Sequence, residues 1–131
     1  MKKIFQLVMV ASVGLLATSC YNDVLPAEPL PANVSYQANI QTLFNKNCIG
    51  CHKGAANSGP DLTTGNSYVS LTTVTPNSAG KIYVTPGNAD GSIIYQALTG
   101  NGAPQMPPNG ALSKSKLALV EKWINDGAAN N

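Results

Sequence analysis

The stretch Cys48-Ile49-Gly50-Cys51-His52 contains two of the three cysteines and the only histidine of the 131-residue chain. Two thiols separated by two residues and followed at once by an imidazole form the attachment signature of a c-type haem. Each thiol can form a thioether with one vinyl group of the porphyrin, and the adjacent imidazole can bind the iron as its proximal ligand. The stretch therefore predicts one covalent haem c, bound through Cys48 and Cys51, with His52 as an iron ligand.

Three other interpretations explain this stretch less well. A structural zinc site needs about four protein ligands, whereas the stretch offers two thiols and one imidazole. A thioredoxin-type C-x-x-C is expected near a βαβ pattern, and the apolar periodicity of this chain is helical. Chance occurrence is the remaining alternative, and the export signal and the methionine loop described below argue against it.

The composition is that of one small, loop-rich domain. Only 11% of the residues are charged, while the chain has 12 glycines and 9 prolines. A domain of this size has a modest core, so a large apolar cofactor would add to it. The formal net charge is +2, but Lys2 and Lys3 precede Cys20, and the remainder has equal numbers of basic and acidic residues. No basic stripe remains, which argues against a nucleic-acid partner.

The N-terminus has the pattern of an export signal. Lys2 and Lys3 precede an apolar stretch over residues 4–17, which has the length of a secretory signal and is shorter than the roughly 18 residues of a spanning helix. The end of the stretch, Thr18-Ser19-Cys20, resembles the lipobox of bacterial lipoproteins, in which the cysteine is lipidated and the leader is cut before it. An ordinary secretory signal with an incidental cysteine is the alternative.

The predicted organisation has three parts. Residues 1–19 are a signal peptide, residues 20–34 are the lipidated Cys20 and a proline-rich tether, and residues 35–131 are the cytochrome-like domain that binds the haem. Two or more acyl chains on Cys20 would anchor the protein stably. We therefore expect an exported protein, held on a bacterial membrane and facing the periplasm or the cell exterior.

Apolar periodicity predicts an all-α domain of about three to five helices with long loops. The first helix spans 36–47, with Ser35 as its N-cap and with Ile40, Leu43 and Phe44 on one face. Further helical segments are predicted over 67–71, from the capping residues 90–92 to about 98, and over 114–126. Ser113 is expected to cap the last of these, and Gly127 follows it. Residues 81–85 alternate and are expected to be extended.

A second iron ligand follows from counting. After Cys20 the chain contains one methionine, Met106, and no histidine other than His52. Met106 lies on a loop that a domain of this size can fold across the opposite face of the haem, and Pro107 and Pro108 stiffen that loop. His/Met ligation would raise the reduction potential. A surface or gap-filling methionine is the alternative.

Other motifs resemble those of class I cytochromes c, in which a Gly-Pro-x-Leu segment follows C-x-x-C-H. Gly59-Pro60-Asp61-Leu62 matches that segment. The resemblance implies that the Pro60 carbonyl accepts a hydrogen bond from His52 and that Leu62 packs on the haem. It also implies an orthogonal helical fold in which the first and last helices cross, so that Leu43 and Phe44 would meet Val120 and Trp123.

The resemblance covers about residues 35–128. It is strongest to a bacterial cytochrome c-like subfamily that also occurs as modules in large multidomain proteins. Asn88 departs slightly from that pattern, because Asp is frequent there. The residues that carry the likeness are Val84-x-Pro86-Gly87-Asn88, Ser92-x-x-Tyr95-x-x-Leu98, Met106-Pro107-Pro108-x-Gly110 and Trp123-Ile124-x-x-Gly127-Ala128.

The predicted function is electron transfer by a membrane-anchored carrier that cycles between Fe(II) and Fe(III) and binds no substrate at the iron. Its partners would be redox proteins at the membrane: a respiratory complex, a terminal oxidase or a periplasmic oxidoreductase. The alternative is a haem-based sensor or small-ligand-binding module with a labile Met106. A peroxidase-like enzyme is disfavoured, because no second histidine is present to act as a distal acid–base residue.

Surface lysines and tyrosines near the motif have ordinary explanations. Lys46, Lys53 and Lys81 could form a docking rim or pair with haem propionates, but solubilising surface charge is the favoured interpretation. Tyr83 and Tyr95 are expected to pack in the core or the haem pocket rather than to relay electrons.

Overall fold

The computed structural model describes residues 29–54, 59–74 and 82–131. Over these ranges the chain forms four helices and no strand, which confirms the predicted all-α fold. Helix α1 has a π-helical first part, Tyr36–Gln41, and an α-helical second part, Thr42–Asn47; the others are α2 (Ser67–Thr72), α3 (Ile93–Thr99) and α4 (Lys114–Asn125). None of these helices is long and apolar enough to cross a membrane. The predicted signal peptide and Cys20 lie outside the described ranges.

Helix α1 begins where its cap predicts but has a wider first turn than expected. The Ser35 hydroxyl accepts a hydrogen bond from the backbone N–H of Ala38 at 3.2 Å, so the predicted N-cap is confirmed. The N–H of Ile40 reaches the carbonyl of Ser35 at 3.4 Å, five residues back. Periodicity alone predicts the helix and its apolar face, and it does not reveal this π-helical turn.

Ser92, one of the predicted capping residues 90–92, and the predicted cap Ser113 are the N-cap residues of α3 and α4. Neither side chain makes the capping hydrogen bond expected of a serine at this position. The Ser92 hydroxyl instead accepts from the N–H of Thr85 at 2.9 Å and donates to the carbonyl of Asn88 at 2.7 Å. Ser92 therefore closes the turn that precedes α3, while the Ser113 hydroxyl lies 3.1 Å from that of Ser115.

Residues 82–85 of the segment predicted to be extended pack against the end of α2 and are not part of a sheet. Lys81 lies outside the described residues, and residues 82–85 form no strand. The N–H groups of Tyr83 and Val84 both donate to the carbonyl of Leu71, each at 3.0 Å. Since a lone strand has no ladder partner here, the end of α2 satisfies these backbone donors.

Aromatic rings join the first and last helices. Tyr36, Phe44 and Trp123 are each at most 1% exposed, and the ring centroid of Tyr36 lies 5.1 Å from that of Trp123. A third ring, that of Tyr68 in α2, meets the ring of Tyr36 edge-on, with their centroids 5.2 Å apart. The predicted residues Leu43, Phe44, Val120 and Trp123 all belong to this buried core, and Tyr36 supplies an aromatic contact that the sequence did not single out.

Candidate haem site

An apolar cavity of about 560 Å³ opens between the C-terminal end of α1, the loop over 59–62, helix α3 and the loop over 103–108. All six site residues that the sequence predicts within the domain line it: Cys48, Cys51, His52, Pro60, Leu62 and Met106. The remaining predicted site residue, Cys20, lies outside the described residues. The fold thus brings together side chains that are up to 58 positions apart in the sequence, from Cys48 to Met106.

The end of α1 delivers the two cysteines and the histidine as one compact turn. The N–H of Cys48 still bonds to the carbonyl of Phe44 at 2.8 Å, which continues the helical pattern. The N–H groups of Cys51 and His52 then donate back to the carbonyl of Cys48 at 3.1 and 2.9 Å. These bonds hold both thiols and the imidazole at the mouth of the cavity, with Cys48 half-buried and Cys51 exposed.

Cys48 lies in a mainly apolar environment with one cation nearby. Burial raises the pKa of its thiol to about 11, and the Lys116 ammonium opposes that shift. The Nζ atom of Lys116 donates to Oδ1 of Asn47 at 3.0 Å, so the lysine is held beside the end of α1. An apolar environment around the thiol is compatible with the predicted thioether link to a haem.

The imidazole of His52 faces the loop over 59–62. Its Nδ1 atom lies 3.3 Å from the carbonyl oxygen of Pro60, the contact that the resemblance implies. A second bond fixes the backbone, because the N–H of Leu62 donates to the carbonyl of His52 at 2.9 Å. A partner on the outer ring nitrogen orients a metal-binding histidine and raises its basicity.

Gly59 leaves the space that this imidazole needs. Its φ is +138°, and a Cβ atom added there would lie 3.2 Å from Cε1 of His52. A side chain at this position would push the ring by a few tenths of an ångström, so glycine favours the close approach of backbone to ring. The space that Gly59 leaves for the His52 ring, the apolar cavity and the two thiols together fit a covalently bound haem.

Met106 lies on the loop between α3 and α4 and is 36% exposed. Its N–H donates to the carbonyl of Ala97 at 2.8 Å, which ties the loop to the end of α3. The preceding side chain, Gln105, donates from Nε2 to the carbonyl of Leu98 at 3.0 Å. Gln105 therefore satisfies orphan carbonyls at the C-terminus of α3, a role that its position in a Gly/Pro-rich loop does not reveal.

Buried polar side chains behind the loop over 59–62 were also missed by sequence reasoning. Gln41, Ser67 and Tyr36 are each at most 3% exposed and form a hydrogen-bonded chain that ends on the carbonyl of Leu62. The sequence feature that could have indicated this chain is Gln41, a polar residue that directly follows Ile40 in a helix whose buried side is otherwise apolar.

Asp61 organises the turn that follows the predicted haem contacts. Its carboxylate accepts from the N–H and the hydroxyl of Thr63 at 2.9 and 2.6 Å and from Nδ2 of Asn66 at 3.2 Å. The hydrogen bond from the Thr63 side chain is the main reason why the pKa of Asp61 is lowered. The charged form of Asp61 therefore stabilises this turn.

The predicted surface and packing residues occupy different positions around the site. Lys46 and Lys53 are exposed, whereas Lys81 lies outside the described residues. Tyr83 lines the cavity. Tyr95 is half-buried, and its burial raises the pKa of its hydroxyl, as does a hydrogen bond to Glu121.

Over the described part of the chain, no three His, Cys, Asp or Glu side chains cluster as a metal site.

A comparison with protein families gives a match that agrees with this geometry. The family described as cytochrome C oxidase, cbb3-type, subunit III matches residues 37–124, from the first turn of α1 to the last turn of α4. No curated protein and no solved structure matches the chain. The match spans more than half of the sequence and includes every predicted site residue except Cys20. The chain therefore belongs to this family and is a c-type cytochrome domain, a haem protein of electron transfer.

Proposed function

We propose that the chain is a membrane-tethered monohaem electron carrier with His52 and Met106 as the axial ligands of the iron. The observation that carries the proposal is that these two side chains, from different loops, line the same apolar cavity as Cys48 and Cys51. The chain has no other histidine, and after Cys20 it has no other methionine. The family match supports haem-based electron transfer without naming the ligands.

The bound haem would supply a one-electron Fe(II)/Fe(III) couple. The side chains of Cys48 and Cys51 would hold it covalently, and the Pro60 carbonyl, by occupying Nδ1 of His52, would leave Nε2 free to bind the iron. The soft thioether of Met106 would favour the reduced iron. The apolar lining would limit the access of water and so disfavour the additional charge of the oxidised state.

The absorption spectrum of the full chain, exported with a c-haem maturation system, tests the ligands. A covalent haem with the weak long-wavelength band of a Met–Fe(III) bond in the oxidised state is the expected result. Met106→Leu should abolish that band because it removes the sulfur at similar volume. Pro104→Ala, on the same cavity wall, should keep the band. A wild-type spectrum without the band would exclude Met106 as a ligand, and absence of covalent haem would overturn the proposal.

A haem-based sensor with a labile methionine is the second candidate. The observation in its favour is the partial exposure of Met106, 36%, on a loop without helical structure. A sensor should bind carbon monoxide at the reduced iron of the wild-type protein, and Met106→Ala should change that affinity little. A carrier should bind it poorly until Met106→Ala opens the coordination position.

The membrane anchor is proposed from the sequence of the leader. Cleavage before Cys20 followed by its lipidation would hold the protein on the outer side of a bacterial membrane, facing the periplasm or the exterior. Tethering would raise the effective concentration of the carrier near membrane oxidoreductases. Labelled fatty acid should be incorporated into the wild-type protein and not into Cys20→Ala. A wild-type protein that carries no acyl chain after export would exclude the lipid anchor.

The proposed partners are redox proteins of respiratory electron transfer, such as a respiratory complex, a terminal oxidase or a periplasmic oxidoreductase. Alanine and proline side chains line the cavity on the Met106 side: Ala103, Pro104, Pro107 and Pro108. With this apolar rim and a near-zero net charge after Cys20, docking should depend weakly on ionic strength. Lys46→Gln and Lys53→Gln should therefore leave electron-transfer rates to membranes close to wild type. A large drop would instead assign these lysines to a docking rim.

A further inference from the structure

A chain of three buried side chains connects the start of α1 to the loop behind His52. The Tyr36 hydroxyl donates to Oγ of Ser67 at 2.6 Å, and the Ser67 hydroxyl in turn donates to Oε1 of Gln41. Nε2 of Gln41 then donates to the carbonyl of Leu62 at 3.0 Å. We refer to Tyr36, Ser67 and Gln41 as the buried relay. Every donor in it has an acceptor, so the relay can be rigid.

The π-helical turn of α1 explains how two members of the relay meet the same partner. Residues five positions apart lie roughly 140° apart around an α-helix. The i→i+5 spacing of a π-helix brings such residues towards one side. Tyr36 and Gln41 are five positions apart, they bound the π-helical part of α1, and both bond to Ser67. Widened turns of this kind are frequent at functional sites.

The relay ends on the loop over 59–62, the same loop whose Pro60 carbonyl orients the imidazole of His52. Leu62 receives Gln41 on its carbonyl and donates its N–H to the carbonyl of His52 at 2.9 Å. Two residues earlier, the carbonyl of Pro60 lies 3.3 Å from Nδ1 of His52. Since Pro60 and Leu62 belong to one short segment, a shift of Leu62 also changes the contact to the imidazole.

We propose that Gln41 is a positioning residue that sets the strength of the hydrogen bond from His52 to the Pro60 carbonyl and thereby tunes the reduction potential of the haem. The inference rests on the proposed function, in that His52 is taken as an iron ligand. A stronger bond at Nδ1 makes the other ring nitrogen more basic, and a more basic ligand stabilises Fe(III). Gln41 therefore keeps the potential lower than a relaxed loop would allow.

A second hydrogen bond also holds the loop over 59–62, but it acts at Asp61 and not at Leu62. The loop is also tied to α2, because the N–H of Asp61 donates to Oγ of Ser70 at 2.8 Å. That bond fixes the side of the loop facing α2, whereas Gln41 is the side chain that holds the Leu62 carbonyl. Loss of Gln41 should therefore let the segment rotate about the Asp61–Ser70 bond rather than detach.

The test compares three variants of the full-length haem protein. Gln41→Met removes the amide at similar volume and without adding charge, which would itself change the potential. Ser67→Ala removes the hydroxyl that fixes Oε1 of Gln41 but leaves Nε2 able to reach Leu62. Tyr68→Phe is the matched control, because it removes a hydrogen bond to the carbonyl of Ala128, at 2.9 Å in the wild type, on a residue that also packs on Tyr36.

The readouts are the reduction potential, the NMR resonance of the His52 Nδ1 proton in the reduced protein, and the free energy of unfolding. Gln41→Met should raise the potential and shift that resonance towards the position of a weaker hydrogen bond. Ser67→Ala should produce the same changes to a smaller extent. Tyr68→Phe should lower stability while it leaves the potential and the resonance at wild-type values.

The proposal is overturned if Gln41→Met and Ser67→Ala lower stability but keep the wild-type potential and resonance, since the relay would then be only structural. If Gln41→Met yields no folded haem protein, Ser67→Ala decides the question alone by the same two readouts. Failure of the proposed function is separately visible, because the wild-type protein would then lack covalent haem or the spectral band of the methionine ligand.

Discussion

Tyr36 and Trp123 lie in contact where the first and last helices meet, with ring centroids 5.1 Å apart and ring planes inclined by 41°. The Trp123 indole N–H donates to the carbonyl of Ala129 at 2.9 Å, so the ring is fixed by packing and by a hydrogen bond. Both rings are 1% exposed. This contact closes the domain, because it joins segments on either side of the cavity-lining loops.

Replacement of Trp123 by alanine should therefore be among the most destabilising changes in the domain. We expect a loss of about 3–5 kcal/mol, the usual range for removal of a fully buried large aromatic side chain. Urea unfolding of the haem protein measures it. Val69→Ala, at a side chain that is 56% exposed, should change stability by less than about 0.5 kcal/mol. Similar losses in the two variants would show that Trp123 is not part of the core.

Asn131 caps helix α1 from the far end of the described chain. Its Oδ1 atom accepts from the N–H of Tyr36 at 2.7 Å, one of the orphan donors at the start of the helix. Asn131→Ala should cost about 1 kcal/mol, the typical value of a lost N-terminal cap. Asn130→Ala is the control, since the hydrogen bond that Asn130 receives within the described residues is a long one, 3.3 Å from the exposed side chain of Gln37. Equal unfolding midpoints for both variants would contradict the capping role.

The haem motif and the helices could be predicted from sequence because their signals are local. Two thiols and an imidazole within five residues carry their chemistry with them, and apolar periodicity identifies α1 and α4. The shared cavity of His52 and Met106 agrees with the prediction from counting and resemblance, although their role as ligands stays a prediction. The haem motif and the choice of His52 and Met106 as candidate ligands depend on which residues are present more than on how they pack.

Two of the missed features, the Asn131 cap and the π-helical turn, depend on tertiary contacts between distant residues. The hydroxyls of Ser92 and Ser113 are exceptions, because they bond to nearby residues: Ser92 to Thr85 and Asn88, and Ser113 to Ser115. The cap supplied by Asn131 acts across 95 positions, and no local pattern predicts it. The π-helical turn is stabilised by Ser67, which bonds to both Tyr36 and Gln41. Tertiary contacts therefore account for the Asn131 cap and the π-helical turn, whereas the two serine hydroxyls have local alternatives to capping.

Asp61 should make part of the stability depend on pH in the acid range. Its pKa is lowered in the folded protein, chiefly by the Thr63 hydroxyl, so the unfolded chain binds a proton at higher pH than the folded one. The contribution of ionised Asp61 to the free energy of unfolding is fully present above the ordinary aspartate pKa of about 3.9. It is lost as the pH falls through the lower pKa that Asp61 has in the folded protein. Asp61 is only partly buried, so solvent screens its carboxylate and we expect a modest effect.

Asp61→Asn should lower stability at neutral pH and flatten the acid part of the stability curve relative to wild type. Thr63→Ala should move the curve in the same direction, because it removes the hydroxyl donor at 2.6 Å. Urea unfolding of the haem proteins between neutral pH and about pH 3, the range around the ordinary aspartate pKa, provides the comparison. A parallel displacement of the whole curve in Asp61→Asn would mean that titration of Asp61 contributes nothing.

Gly59 and Gly110 form a matched pair that separates backbone strain from contact with the imidazole. Their φ values are +138° and +144°, so alanine is strained at either position, at a cost on the order of 1–3 kcal/mol. A Cβ atom at Gly59 would meet Cε1 of His52 at 3.2 Å, whereas one at Gly110 has nothing within 4 Å. Both variants should lose stability, but only Gly59→Ala should displace the ring from the Pro60 carbonyl. Its haem spectrum and reduction potential should therefore change, while Gly110→Ala keeps wild-type values. Equal potentials in the two variants would show that the imidazole accommodates the added methyl group without losing its orientation.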